Sequence, residues 1–263
     1  HCSGPRTNSY VEVQLEAGVT YSVFVASYYD DNRGTVRFTV NCTDCTSMPL
    51  SSRVTIPASA SASGANGTSW MTELTAVNPT GVDSGATIVF RERGKNGSFV
   101  DSISLDLPAH STVRVDDAVQ DLFQKTNSAG SLHVVLPAEA ILSSRTFNNS
   151  SDGTYGQTIP AFPDAEGFTY FDDIILPSFT VGEQFRTNLG LVNLYSNPVI
   201  VDVDIRDSQG STIANPSLEV PAFSSIQASG LAGSTDGGYA VLSLYDLEAS
   251  ILPYLSVDRK SVV

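Results

Sequence analysis

A nine-residue pattern, aromatic-x-Thr-x-Leu-x-x-Val-Asn, occurs twice in this chain. The copies are Trp70-Met71-Thr72-Glu73-Leu74-Thr75-Ala76-Val77-Asn78 and Phe185-Arg186-Thr187-Asn188-Leu189-Gly190-Leu191-Val192-Asn193. Ile56-Pro57-Ala58 precedes the first copy as Leu176-Pro177-Ser178 precedes the second. Downstream, Leu107-Pro108-Ala109-His110-Ser111 is matched by Val220-Pro221-Ala222-Phe223-Ser224. Landmarks in one order at nearly constant spacing mark an internal duplication. That spacing is too long for a solenoid and has the size of a domain. The chain therefore divides into a front segment, residues 1–46, and two repeats, residues 50–163 and 164–263.

Each repeat is long enough to enclose a core, and composition says of what kind. Among 263 residues there are 20 Gly and 13 Pro beside abundant Ser, Thr and Val, which favours sheet over helix. The expected fold is all-β, a tandem of β-sandwich modules of immunoglobulin-like or jelly-roll-like type with one short helix. A net charge of −14 opposes binding to nucleic acid and to anionic membranes. No apolar run approaches the ~20 residues of a membrane span, so no membrane insertion is expected. The chain starts at His1 rather than Met, for which secretion and processing are the simplest reading.

All three cysteines lie early: Cys2, Cys42 and Cys45. In Val36-Arg37-Phe38-Thr39-Val40-Asn41-Cys42 strand parity places Cys42 with Val36, Phe38 and Val40, where a disulfide suits better than a reactive thiol. Cys2–Cys42 and Cys2–Cys45 both remain open, because spacing does not choose between them.

The front segment alternates at Tyr10-Val11-Glu12-Val13-Gln14-Leu15-Glu16 and turns at Ala17-Gly18 into Tyr21-Ser22-Val23-Phe24-Val25. The run from Leu15 to Val23, a glycine turn and a last strand resembles the second half of the bacterial pre-peptidase C-terminal domain. That resemblance implies a small β-sandwich of exported proteins. Half a sandwich leaves strand edges open, to be filled by a neighbouring module or a strand from another subunit.

In the first repeat, Ser51 to Ile56 reads as a strand closed by Pro57, and the Ala/Ser/Gly stretch from Ser59 to Ser69 as a flexible connection. Asn96-Gly97 between strand-like runs predicts a tight hairpin. Asp116 to Phe123 is the one convincing helix, with acidic residues in its first turn. In the second repeat Phe168 to Leu176 reads as an opening strand with Asp172-Asp173 at its centre. Val199, Val201, Val203 and Ile205 form the inner face of the cleanest strand. The helix has no counterpart there; Ser229-Gly230-Leu231-Ala232-Gly233 stands in its place. The set Trp70-x-Thr72, Val77-Asn78-Pro79, Asp116-Asp117, Ser143 to Asn148 and Gly153 to Gln157 resembles tandem β-sandwich modules of large, uncharacterised secreted bacterial proteins. That family implies a fold and a location, and no catalytic residues.

Chemistry leaves few marks. The histidines are His1, His110 and His133, with no zinc-enzyme spacing, nucleophile elbow or phosphate loop. His133, in Leu132-His133-Val134, is expected to face solvent. Asp30, Asp31, Asp172 and Asp173 are candidate Ca2+ ligands, though turn-forming roles compete and no EF-hand spacing is present. Sequons such as Asn66-Gly67-Thr68 fall in loops. Trp70 and Phe185, as repeated strand-start aromatics, are expected in the core. The reading is a non-catalytic, secreted structural or adhesive protein, in its sharper form a subunit of a surface fibre or layer, joined to copies of itself or to neighbouring domains through β-edges. The alternatives are an accessory region of a secreted hydrolase and a carbohydrate-binding module.

Overall fold

In a strand with one face against the core, apolar residues must recur at every second position. Thr72, Leu74, Ala76 and Asn78 are all buried, as are Val199, Val201, Val203 and Ile205. Among the described residues, 64% lie in strands, the outcome of that pattern repeated along them. The computed structural model describes residues 51–64, 69–150, 153–170 and 172–259, all within one compact unit, Met48–Val263. The cysteines, Asp30, Asp31 and the whole front segment lie outside the described residues.

The first module contains β1 (Ser51–Ser63), β2 (Ser69–Asn78), β3 (Ser84–Glu92), β4 (Ser102–Leu107), β5 (Ser111–Val115), helix α1 (Ala118–Phe123), β6 (Ser128–Pro137), β7 (Ile141–Ser150), β8 (Gly153–Ile159) and β9 (Phe162–Pro163). The second contains β10 (Ile174–Val181), β11 (Phe185–Asn193), β12 (Val199–Arg206), β13 (Thr212–Ala214), β14 (Ser217–Val220), β15 (Ser225–Ser229), β16 (Thr235–Leu244) and β17 (Ile251–Arg259). All pairings are antiparallel. In the first module β4-β3-β6-β1 faces β5-β2-β7-β8, and the tail of β1 crosses over to pair with β2. In the second, β14-β12-β16-β10 faces β15-β11-β17. Setting aside β8 and β9 of the first module and the short β13 beside β12 of the second, the orders coincide, so the repeat extends to the topology. An immunoglobulin constant domain would read 1-2-5-4 facing 3-6-7 in the same notation, so the sandwich is shared and that strand order is not.

Each sandwich has its own core. Ile56, Leu74, Ile88, Phe90, Leu132 and Val134 centre the first; Phe179, Leu189, Leu191, Val201, Ile205 and Leu242 centre the second. Helix α1 is capped by Asp117, whose carboxylate accepts from the Gln120 N–H, and it buries Ala118 and Val119. Its ordered N-cap satisfies a donor that the helix itself leaves free.

Several local expectations change. Pro57 does not end a strand: β1 runs on to Ser63, with a bulge between Ile56 and Ser59 that absorbs the missing proline donor. The Ala/Ser run after it is strand up to Ser63, burying Ser59 and Ser61, because small side chains suit a stretch pressed between two sheets. Pro177 repeats the device in β10, where the register also shifts and Ser178 takes a φ of 69°. Asn96-Gly97 does not form a two-residue turn; β3 and β4 are joined by a wide loop over residues 93–101. The stretch from Gly153 to Ile159 is edge strand β8, paired to β7. The opening strand of the second repeat starts at Ile174, just after the Asp172 N–H donates to Thr169 O.

Candidate functional site

The repeated pattern is internal joinery. Thr72 Oγ1 accepts from the Ala60 N–H at 2.8 Å and lies 2.9 Å from Thr146 Oγ1, which donates to Ala58 O. Thr187 Oγ1 likewise accepts from the Thr180 N–H at 2.9 Å and donates to Thr180 O. In both modules this hydroxyl fastens the first strand just past its proline bulge. Asn78 closes the other end: its amide donates to Val82 O and Leu107 O, and its oxygen accepts from the Thr80 N–H. Asn193 donates to Asn197 O, Val220 O and Pro221 O and accepts from the Tyr195 N–H. In each module this asparagine closes the turns at the end of the repeated strand. The turns they hold contain His110 and Phe223, both at positive φ, 51° and 46°.

Where the modules meet lies the densest set of chemically able side chains. Strands β1, β6 and β3 bring Thr55 opposite His133 and Arg91 opposite Ser131 on the face of the sheet away from its own core. Thr55 Oγ1 donates to Asp164 Oδ1 at 2.7 Å, so its lone proton is committed. It must then accept from His133 Nδ1–H at 2.9 Å, leaving His133 Nε2 to accept from the Ser131 hydroxyl at 2.9 Å. This hydrogen-bond order assigns the neutral Nδ1–H tautomer. Burial, and secondarily the nearby Arg91 cation, lowers the His133 pKa from 6.5 to about 3. His133 is thus partly buried with both ring nitrogens engaged, where solvent exposure had been expected. Ser131 and Thr55 are fully buried, which denies a substrate access to either hydroxyl.

Arg91 carries that cluster into the second module. Its guanidinium stacks 4.3 Å from the centre of the Phe223 ring, while burial lowers its pKa and Asp164 raises it. Beside it the residue 93–101 loop clips onto the second module: Gly94 N–H donates to Ser225 O and Gly97 N–H to Ala222 O, at 2.8 and 2.9 Å. A side chain on Gly97 would place its Cβ 2.0 Å from Phe223 O. That contact explains the glycine better than a hairpin turn does.

Two clefts open at the surface. One, of about 270 Å³, lies between β1, β2 and the end of α1, with Trp70, Asp117, Gln120 and Asn127 in its wall. Trp70 is partly buried and Phe185 is 39% exposed, so neither is the core residue its repetition suggested. Strand starts project past the sandwich end, where the partner sheet no longer covers them. Asp117 is already occupied, accepting from Ser61 Oγ at 2.7 Å and from the Gln120 N–H. The other cleft, of about 630 Å³, is a shallow hollow by Ile200, Tyr245 and Leu247. Of the Ca2+ candidates, Asp172 accepts from the N–H and hydroxyl of Thr169, and Asp173 accepts from Ser243 Oγ. Among the described residues, no three His, Cys, Asp or Glu side chains gather where they could hold a metal, and no helix is long and apolar enough to cross a membrane. Compared with protein-family models, with curated proteins and with solved structures, the chain matches none.

Proposed function

We propose that this chain is a non-catalytic structural or adhesive protein of the cell exterior, working through contacts between β-sandwiches. The observation that carries the reading is the junction. His133, Ser131, Thr55, Asp164 and Arg91, which elsewhere could do chemistry, are closed off and hold one module against the next. Two β-sandwich modules joined by side-chain and backbone contacts suit load-bearing or display, and the acidic composition suits solubility outside the cell. The resemblance of residues 1–46 to an export-associated domain supports the location. Light scattering on the full chain tests the reading: self-association is expected, and a monodisperse monomer would overturn it.

A second reading has one specific observation in its favour. Trp70 keeps part of its ring exposed in a polar cleft, an arrangement in which sugars stack on aromatic faces. Trp70 is the only tryptophan, so its fluorescence reports directly on added oligosaccharides. A saturable shift would support carbohydrate binding; an unchanged spectrum across a glycan panel would remove it.

A further inference from the structure

Sheet edges are where a β-protein must guard against pairing with another chain, and most of the edges here are guarded. The edge strand β4 carries Asp106, and β5 carries Arg114. Strand β10 is broken by two register shifts. The residue 93–101 loop reaches β15 through Gly94, and β17 bears Pro253 on an edge where Phe168 already pairs with Ile251. Strand β8 differs. Its seven residues, Gly-Thr-Tyr-Gly-Gln-Thr-Ile, include no charge and no proline, and six of them are exposed. Among the described residues it pairs with β7 alone.

We propose that β8 is the surface through which two copies of this chain join, edge to edge and antiparallel, into one continuous sheet. The proposal rests on the self-association reading above and names its contact. Three observations select a second copy as the occupant. First, the strand is nearly symmetric about Gly156: antiparallel pairing centred there sets Thr154 against Thr158 and Tyr155 against Gln157 of the second copy. A two-fold interface requires such self-complementarity, and Thr–Thr cross-strand pairs are favourable. Second, two copies of a chain with net charge −14 repel, so they meet best where charge is least. From Ile141 to Ile159 the only charged residues are Arg145 and Asp152. Third, the hairpin is stiffened for the purpose. Arg145 stacks 4.7 Å from the centre of the Phe147 ring and donates to Thr154 Oγ1, while Ile159 anchors the strand end in the core. A pre-ordered edge loses little entropy on pairing.

Sedimentation of the full chain, with variants at the two exposed positions, tests this. In the Tyr155→Lys, Gln157→Lys double variant, lysine faces lysine across the axis, although the chain's overall negative charge falls. The dimer dissociation constant is expected to rise about tenfold or more, with the melting temperature unchanged. Mixing that variant with the Tyr155→Glu, Gln157→Glu double variant should restore dimers, since the pairing sets 155 against 157. A lysine variant that still associates like the wild type overturns the assignment to β8 and leaves self-association standing. A lysine variant that is monomeric but not rescued by the glutamate variant also overturns the proposed register. A wild-type monomer overturns both the edge and the reading it rests on.

Discussion

Strands β2 and β11 carry the same repeated pattern and do the same work inward, yet they sit in different surroundings outward. In β2, burial alternates: Leu74 and Ala76 are in the core, while Glu73 and Thr75 lie on a partly solvated face, Glu73 paired with Arg114. In β11 everything from Thr187 to Asn193 is buried. Its outer face lies toward β1 of the first module, and the Tyr254 ring covers Gly190 so closely that a Cβ there would sit 2.0 Å away. Burial raises the Tyr254 hydroxyl pKa accordingly. The inward positions, Thr, Leu and Asn, kept their identity because the sandwich requires them. The outward positions diverged, Glu73 against Asn188 and Thr75 against Gly190, because one face meets water and the other a neighbouring module.

The largest effect expected from disturbing this arrangement comes from acid. His133 titrates at about 3 in the fold against 6.5 ordinarily, so between those values the unfolded chain takes up a proton that the folded chain refuses. Stability is then full above pH 6.5 and falls by about 1.4 kcal/mol per pH unit as pH drops toward 3. Denaturant midpoints measured from pH 7 to pH 4 should show that slope, and the His133→Gln variant should show a shallower one. An equal slope in both would exclude His133 as the source.

Next come the two asparagines. Asn78→Ala and Asn193→Ala each leave buried carbonyls without donors and should each cost about 2–4 kcal/mol in urea unfolding. Near-equal losses would confirm that the inward role is duplicated; a silent variant in either module would break the parallel. The outward positions should separate instead. Gly190→Thr must displace the Tyr254 ring, costing about 1–3 kcal/mol by overpacking, while Thr75→Gly should cost no more than about 1 kcal/mol of strand propensity. Equal costs would mean that β11 is not confined as described. Smallest is Glu73→Ala, which removes an ion pair to Arg114, whose side chain is 61% exposed, and should cost about 0.5 kcal/mol or less.

Much of this was legible in the residues. Period-two alternation located β12 and the inner face of β2, and Asp117 ahead of an apolar i, i+3, i+4 set located α1. The prolines misled because a proline is compatible with a strand wherever its missing donor falls on a bulge or an open edge. Pro57 and Pro177 sit at bulges, and Pro253 lies within β17. His133 misled for a different reason. Its parity does put it on the outer face of its sheet, but the sequence carries no sign that a second module covers that face. Gly97 is a local hint, since it permits a close approach to Phe223 of the second module, whereas Gly190 makes room for Tyr254 on the paired strand of its own module. A single sequence does not distinguish such glycines from those of turns.

The central claim is that the second module relies on the first to cover one side of its β11 sheet. Urea unfolding of the full chain, followed at once by Trp70 fluorescence and by hydrogen exchange at the β11 amides of Asn188, Gly190 and Val192, tests it most directly. Trp70 reports the first module alone, as the sole tryptophan. The expected result is that the β11 amides lose protection at or before the urea concentration at which Trp70 signals unfolding. Protection of β11 that persists after the first module has unfolded would contradict the claim.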